Sequence, residues 1–412
     1  MDSRGNDTIE VDVRVNGFLG RACSPTGSSV GKLEAPSFPS GGAYASSKLI
    51  DEYSSKLLGI NATDYSTVAK TLRDIDGTKN YSNIGGSAAY GITIASMEAA
   101  SKAMKTPLFK LMEHKESPCM PFPLGNVLGG GMHGGPGAPE IQEFLVCPIG
   151  AKDIITALKT NSVVHKKLRE NIELFDPEFT GGKGDEGSWV PRASNEDALR
   201  LVSKTVQSVS NELGIEIKIG LDLASSSIWN QEENAYVYYK SGVKKTIDEQ
   251  IDLIIEIVQK YDIFYIEDPF HEDDYNSFAI VTEKLKNSFV TGDDLFVTNT
   301  ERLLAGIRKN ACNSAILKVN QVGSLGDALV FAKTAEMHNY MVVASHRSGE
   351  SVDNHLAHIA IGSAAKMIKS GVVGGERISK LNELLRIDEW YYEHEGSHMP
   401  MVKINELAKI IN

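Results

Sequence analysis

From about residue 215 onward, short β-type runs alternate with amphipathic helical stretches, and five successive runs close on a titratable side chain. The runs are IKIGLDL, FYIEDPF, FVTGDDL, AILKVNQ and MVVASHR, and the groups at their ends are Asp222, Glu267, Asp293, Lys318 and His346. Helices are expected between and after them, over 246–260, 277–287, 299–309, 324–338 and 352–369. Repeated strand–helix order implies parallel strands joined by helical crossovers. A spacing of about 25–30 residues per strand suits a (β/α)8 barrel. A doubly wound open sheet is the alternative, but no GxGxxG turn follows a first strand to support it. In a barrel, the C-terminal strand ends converge on one mouth. A lone carboxylate there could cap a helix or pair with a surface lysine. Five titratable groups in register are better explained by one site.

The part before the barrel reads differently. Residues 8–15 (TIEVDVRV) alternate apolar and polar, as a half-buried strand does. Helices are expected over 44–58 and 62–75, and the Ala-rich stretch 85–105 predicts a closely packed helix. Strand first and helices after it indicate an α+β domain. The Pro-rich segment 118–123 marks the boundary, giving an N-terminal α+β domain over 1–117 and a barrel domain over 118–412, an α/β protein as a whole.

Lys and Arg number 42 against 54 Asp and Glu, a formal charge of −12, which argues against nucleic acid or an anionic membrane as the main partner. A small anion responds to local charge and stays admissible. Cys23, Cys119, Cys147 and Cys312 fit no CxxC or Cys/His ligand spacing and read as reduced thiols. No charged-then-apolar leader opens the chain and no apolar run reaches the ~18 residues of a membrane span. A cytoplasmic protein is expected.

The carboxylates Asp222, Glu267 and Asp293, with no Cys or His pair beside them, suit a hard cation, Mg2+ rather than Zn2+. Lys318, one strand on, would stand near that ion, whose charge disfavours the ammonium form and lowers its pKa toward neutrality. A neutral amine beside a metal-held carboxylate is a base for a carbon acid. A plain counter-ion role toward Asp293 or Glu267 is its competitor. In GGKGDEG (181–187), Glu186 is a candidate general acid, which requires a protonated carboxyl, or else part of an exposed acidic turn. The Gly/Pro-rich stretch 128–144 carries His133, then Gln142 and Glu143 on a β-type run, and reads as a mobile lid or phosphate-contacting loop. His346, Arg347 and Ser348 supply two cations and a hydroxyl for an anion, with Lys369 one helix later. His355 and His358 read as packing or surface residues.

At this point a resemblance enters. GDEG, IEDPF, GDDLFVTN, LKVNQVG, SHRSGE and KLNELLRIDE, in that order, resemble the enolase family. DSRGN, GSSVGKLEA, DGT and IQEF extend the match over nearly the whole chain. The resemblance implies an α+β capping domain before a modified (β/α)8 barrel, and reversible Mg2+-dependent dehydration of 2-phospho-D-glycerate to phosphoenolpyruvate. It implies Asp222, Glu267 and Asp293 as ligands of a first Mg2+, and Ser29 as a loop ligand of a second that enters with substrate. Lys318 resembles the base at C2, Glu186 the acid at the C3 hydroxyl with Glu143 assisting, and His346 the residue beside that leaving group. Arg347 and Ser348 resemble phosphate contacts, Lys369 a carboxylate-side contact and His133 a lid residue, with Gln142 among the substrate contacts. A homodimer or a ring of dimers is implied. The chain departs from the family where it begins almost at DSRGN, at Val30 in place of a second Ser/Thr, and in the missing Arg-Asp pair after that loop. It also departs at Met132 and at one extra residue between His133 and Glu143. Another dehydratase of the superfamily and a non-catalytic binding relative are the competing readings.

Overall fold

The computed structural model describes residues 1–28, 31–112 and 117–403. Strands β1 (Glu10–Val15) and β2 (Phe18–Cys23) form an antiparallel hairpin whose two turn residues, Asn16 and Gly17, both take positive φ. This is the backbone a tight hairpin with right-handed twist demands. Helices α1 (Gly42–Tyr53), α2 (Tyr65–Asp76) and α3 (Gly86–Met104) follow, completing an α+β unit. α3 is buried along most of its length. β2 touches it at Gly20, where a Cβ would stand 2.0 Å from the carbonyl oxygen of Ala95.

Next come β3 (Phe122–Gly129), β4 (Glu143–Cys147), α4 (Ile154–Phe175), α5 (Asn195–Leu213) and β5 (Lys218–Asp222). A small antiparallel sheet of β6 (Trp229–Asn230), β7 (Ala235–Tyr238) and β8 (Val243–Lys245) interrupts the alternation. It resumes with α6 (Ile247–Tyr261), β9 (Ile263–Glu267), α7 (Tyr275–Lys284), β10 (Phe289–Gly292), α8 (Thr300–Lys309) and β11 (Ser314–Leu317). The chain continues through α9 (Val319–Val322), α10 (Leu325–Met337), β12 (Met341–Ser345), α11 (His355–Gly362), β13 (Met367–Gly371) and α12 (Gly375–Glu395). Helix starts follow local chemistry: Thr246 and Glu249 form a reciprocal capping box at α6, and Ser194, Asn299 and Ser324 cap α5, α8 and α10.

Eight strands close a barrel in the order β3, β4, β5, β9, β10, β11, β12, β13. It is the expected α/β barrel with one reversal, because β4 runs antiparallel to both β3 and β5. The reversal matters for chemistry. It brings the first residue of β4, Glu143, level with Asp222 at the end of β5, and Asp222 is in turn level with Glu267. The lower barrel is filled by apolar side chains that include Phe122, Leu145, Tyr265, Phe289, Ile316 and Val343. The titratable groups form the layer above.

One expectation is corrected. The stretch 352–369 is not a single helix: α11 ends at Gly362, Ala364 takes φ 54° and β13 begins at Met367. Apart from His358, Ser363 and Lys366 the run 357–368 is apolar, and its composition does not separate a buried helix from the buried strand after it. Lys369 therefore lies on β13 and not on a helix. Among the described residues no helix is long and apolar enough to cross a membrane.

Candidate active site

Lys369 stands at the centre of one wall of the mouth. Its Nζ lies 2.9 Å from Asp222 Oδ2, 2.8 Å from both carboxylate oxygens of Glu267 and 3.1 Å from Glu143 Oε2. Burial alone would lower its pKa, but these carboxylates hold it well above the ordinary lysine value. Below it, the Tyr265 hydroxyl donates to Glu267 Oε2 at 2.6 Å, so the barrel core fixes that carboxylate.

Lys318 follows β11 and pairs through Nζ with Asp293 Oδ2, while Gln321 Nε2 donates to Asp293 Oδ1 at 2.9 Å. Burial pulls the Lys318 pKa down, yet the Asp293 carboxylate outweighs it and the amine is held above its usual value.

The opposite wall handles charge differently. His133, Glu143 and Glu186 present ligand-type atoms that all lie within 4.8 Å of one another. Asn126 Nδ2 donates to Glu186 Oε2 at 2.9 Å, and His346 Nε2 stands 3.2 Å from the same oxygen. Burial pushes the Glu186 carboxyl up, but His346, His133 and Arg377 overcome it and hold the group well below the usual range. Glu143 goes the other way, raised well above the usual range by burial and by the charge of Glu186. Of the two carboxyls, Glu143 is the one biased toward keeping its proton and Glu186 toward losing it. His346 is not a cation either: burial takes it down to about 4.

Arg347, expected as an anion-binding cation, is paired with an acid from the first domain. Its Nη1 lies 2.9 Å from Glu34 Oε2 and its Nη2 3.2 Å from Glu34 Oε1, a forked pair. The first loop is docked on the same rim: Ser28 N donates to Ser348 Oγ at 2.7 Å, and Ser28 Oγ lies 3.4 Å from His133 Nε2. Ser29 lies outside the described residues. Gln142 is buried, and its backbone N–H donates to the Asp222 carbonyl at 3.1 Å.

These residues line one cavity of only about 30 Å3, a mouth closed down to a water or two. Larger cavities of about 470 and 480 Å3 lie at the α3–α12 seam, where Glu98, His355, His358 and Glu383 line the wall, and beside β7. Sequence reasoning misses Glu34, Asn126, Asp268, Asp294, Gln321 and Arg377. Glu34 and Asp294 stand inside motifs named above. Asn126 and Arg377 carry no local signal, since only the closed barrel brings them to Glu186.

The donor chemistry fits a hard divalent cation. Buried carboxylates outnumber buried cations, and the excess is visible in their pKa values. Burial and the charge of Asp222 push Glu267 up to about 8. Asp268 and Asp294 are raised by burial and by neighbouring aspartates, and their oxygens form a second group within 4.8 Å together with Asp293. The sequence-derived trio of Asp222, Glu267 and Asp293 is not itself such a group, because Lys369 spans the first two and Lys318 holds the third.

The fold and the mouth define a barrel enzyme for a small anion, with a lysine on one wall and a carboxyl pair on the other. Comparison with known proteins narrows that class. The family model described as "Enolase, N-terminal domain" matches residues 1–112, and "Enolase, C-terminal TIM barrel domain" matches residues 117–398. The chain is 46% identical over 392 residues to the enolase of Methanosphaera stadtmanae, covering 94% of each. The figures are the same for the enolase of Methanothermobacter thermautotrophicus, and for that of Pyrobaculum aerophilum the identity is 41% over 395 residues. The chain belongs to the enolase family, and its activity is that of a lyase. That membership implies Mg2+, in agreement with the acidic clusters at the mouth.

Proposed function

We propose that the chain dehydrates 2-phospho-D-glycerate reversibly to phosphoenolpyruvate in glycolysis and gluconeogenesis. The observation that carries this reading is the opposition of walls: Lys318 on one side of the cavity, and on the other the carboxyl pair Glu143 and Glu186, the first biased toward keeping its proton and the second toward losing it. Dehydration of a carbon acid needs a base and an acid on opposite faces, and no nucleophile.

Asp222, Glu267 and Asp293 would hold the first Mg2+ and Ser29 would add a ligand to a second. Bound there, the ions would stabilise the negative charge that develops on the substrate carboxylate as its C2 proton leaves. Lys318 takes the C2 proton as a neutral amine, once its pairing with Asp293 is released and its ammonium proton has gone to solvent. Glu186 passes a proton to the departing C3 hydroxyl, drawing on the one Glu143 carries, with His346 beside it. Arg347 and Ser348 hold the phosphate, Lys369 stands on the carboxylate side, and Gln142 and His133 close the site from the second loop.

The chemistry assigns this work to a barrel domain over 118–412, with 1–117 as its cap. Family membership supports a homodimer or a ring of dimers, readable by sedimentation, and a cytoplasmic location. The test of the activity is direct: ultraviolet absorbance of the enol product should rise when 2-phosphoglycerate and Mg2+ are added. A flat trace across Mg2+ concentrations overturns the reading.

A further inference from the structure

The largest side chain wholly out of solvent is Arg377, in the first turn of α12, and it lies behind the wall that carries Glu186. Its Nη1 donates to His346 Nδ1 at 2.7 Å and also to the Arg347 carbonyl. Its Nη2 donates to the carbonyls of Ser348 at 2.7 Å and Asp185 at 3.1 Å. One planar fork thereby ties together the turn 346–348 and the loop that presents Glu186. The neighbouring backbone is as tightly set, for a Cβ on Gly371 would stand 2.0 Å from the Glu186 carbonyl oxygen.

A guanidinium is always charged and can only donate. The nitrogen it bonds must therefore offer a lone pair, so His346 Nδ1 carries no proton. In a neutral ring the proton then sits on Nε2, which faces Glu186 Oε2 at 3.2 Å. Resting on the reading that Glu186 acts at the second proton transfer, we propose that Arg377 is a positioning residue for that step: it locks His346 in the Nε2–H tautomer, so that the imidazole is always a donor to Glu186. Without Arg377 the ring could turn its lone pair toward Glu186, and the N–H facing that carboxylate would be lost while the donor Asn126 remained. The base on the far wall makes no contact with this fork, because Lys318 bonds Asp293.

The test uses the full chain with Mg2+ and three readouts. These are exchange of the substrate C2 proton with solvent, net dehydration, and the 15N shifts of His346. Arg377→Met should keep C2 exchange near the wild-type rate, lower dehydration by about a hundredfold and move the His346 signals from the Nε2–H pattern. Arg377→Lys, which restores a donor, should bring back the Nε2–H pattern and much of the dehydration. A merely structural role would lower exchange and dehydration together, and that outcome overturns the proposal. So does an Nδ1–H pattern in the wild type, which decides the matter even if Arg377→Met does not fold. Absence of C2 exchange in the wild type would instead count against the Lys318 reading, and the 15N pattern would still decide the tautomer.

Discussion

The two walls of the mouth both bury acidic groups and neutralise them by different means. On one wall, Asp222, Glu267 and Asp293 are matched by the ammonium groups of Lys369 and Lys318. On the other, Glu143 and Glu186 face the imidazoles of His133 and His346, and Glu143 is biased toward keeping its proton. The first wall is poised for cations, whether lysine or metal. The second is poised to move a proton. Burial drives both, since an unpaired charge in the barrel costs far more than at the surface. The difference lies in what the neighbouring strands deliver: β11 and β13 bring lysines, whereas the loops after β3 and β12 bring histidines.

Removing divalent metal with excess chelator should abolish turnover, the largest effect on this comparison. The first wall would then have only its lysines, and Lys318 would remain locked to Asp293. Substantial turnover in chelator would mean that the wall needs no metal. Lys318→Ala comes next: loss of the base should lower both C2 exchange and dehydration by about 10²–10⁴-fold. Wild-type exchange in that variant would move the base elsewhere.

Glu186→Gln addresses the opposite wall alone. Dehydration should fall by about a hundredfold while exchange at C2 survives, because the amide cannot pass a proton but leaves Lys318 untouched. Equal loss of both rates would show that the walls do not work independently. Arg377→Met is expected to give the same split through His346, with a distinct 15N signature.

Much of this contrast is legible in the amino-acid sequence. The cation wall reads directly from the strand-end residues, because each of Asp222, Glu267, Asp293 and Lys318 sits at the end of its own β-type run. Glu143 is legible as a residue but not as a neighbour of Asp222, since only the reversal of β4 makes the start of one strand meet the end of the next. Sequence pattern puts Lys369 beyond one long helix, because the apolar run before it hides both a helix end and a strand start. The protonation pattern is not legible at all. Glu186 and Glu143 are both glutamates flanked by ordinary residues, and which of them keeps the proton depends on Asn126, His346 and Arg377 arriving from distant strands and a helix. Motifs report which side chains reach a mouth; the sharing of charge among them is a property of the closed barrel.

The smallest effect separates two buried histidines and tests whether burial or neighbours set their charge. His346 has Arg377 on one nitrogen and is brought down to about 4. His355 is as deeply buried, but its Nδ1 lies 3.5 Å from Asp353 Oδ2 and its Nε2 3.7 Å from Glu98 Oε1. Burial lowers its pKa, and these two carboxylates reverse that and take it up to about 9. Because Glu98 belongs to α3 and His355 to α11, the protonated ring bridges the N-terminal helices and the barrel. A raised basic group stabilises the fold fully below its unfolded value of about 6.5, and that contribution is lost as pH rises through about 9. His346, depressed, has the opposite sign: it lowers stability as pH falls below about 6.5. Denaturant unfolding of the wild type should therefore show stability declining between neutral pH and mildly alkaline pH, by at most about 3 kcal/mol. In His355→Gln that decline should flatten, with lower stability at neutral pH because Glu98 and Asp353 lose the shared cation. Parallel pH curves for the two proteins would show that His355 is neutral in the fold, and that burial, rather than its carboxylate neighbours, decides its state.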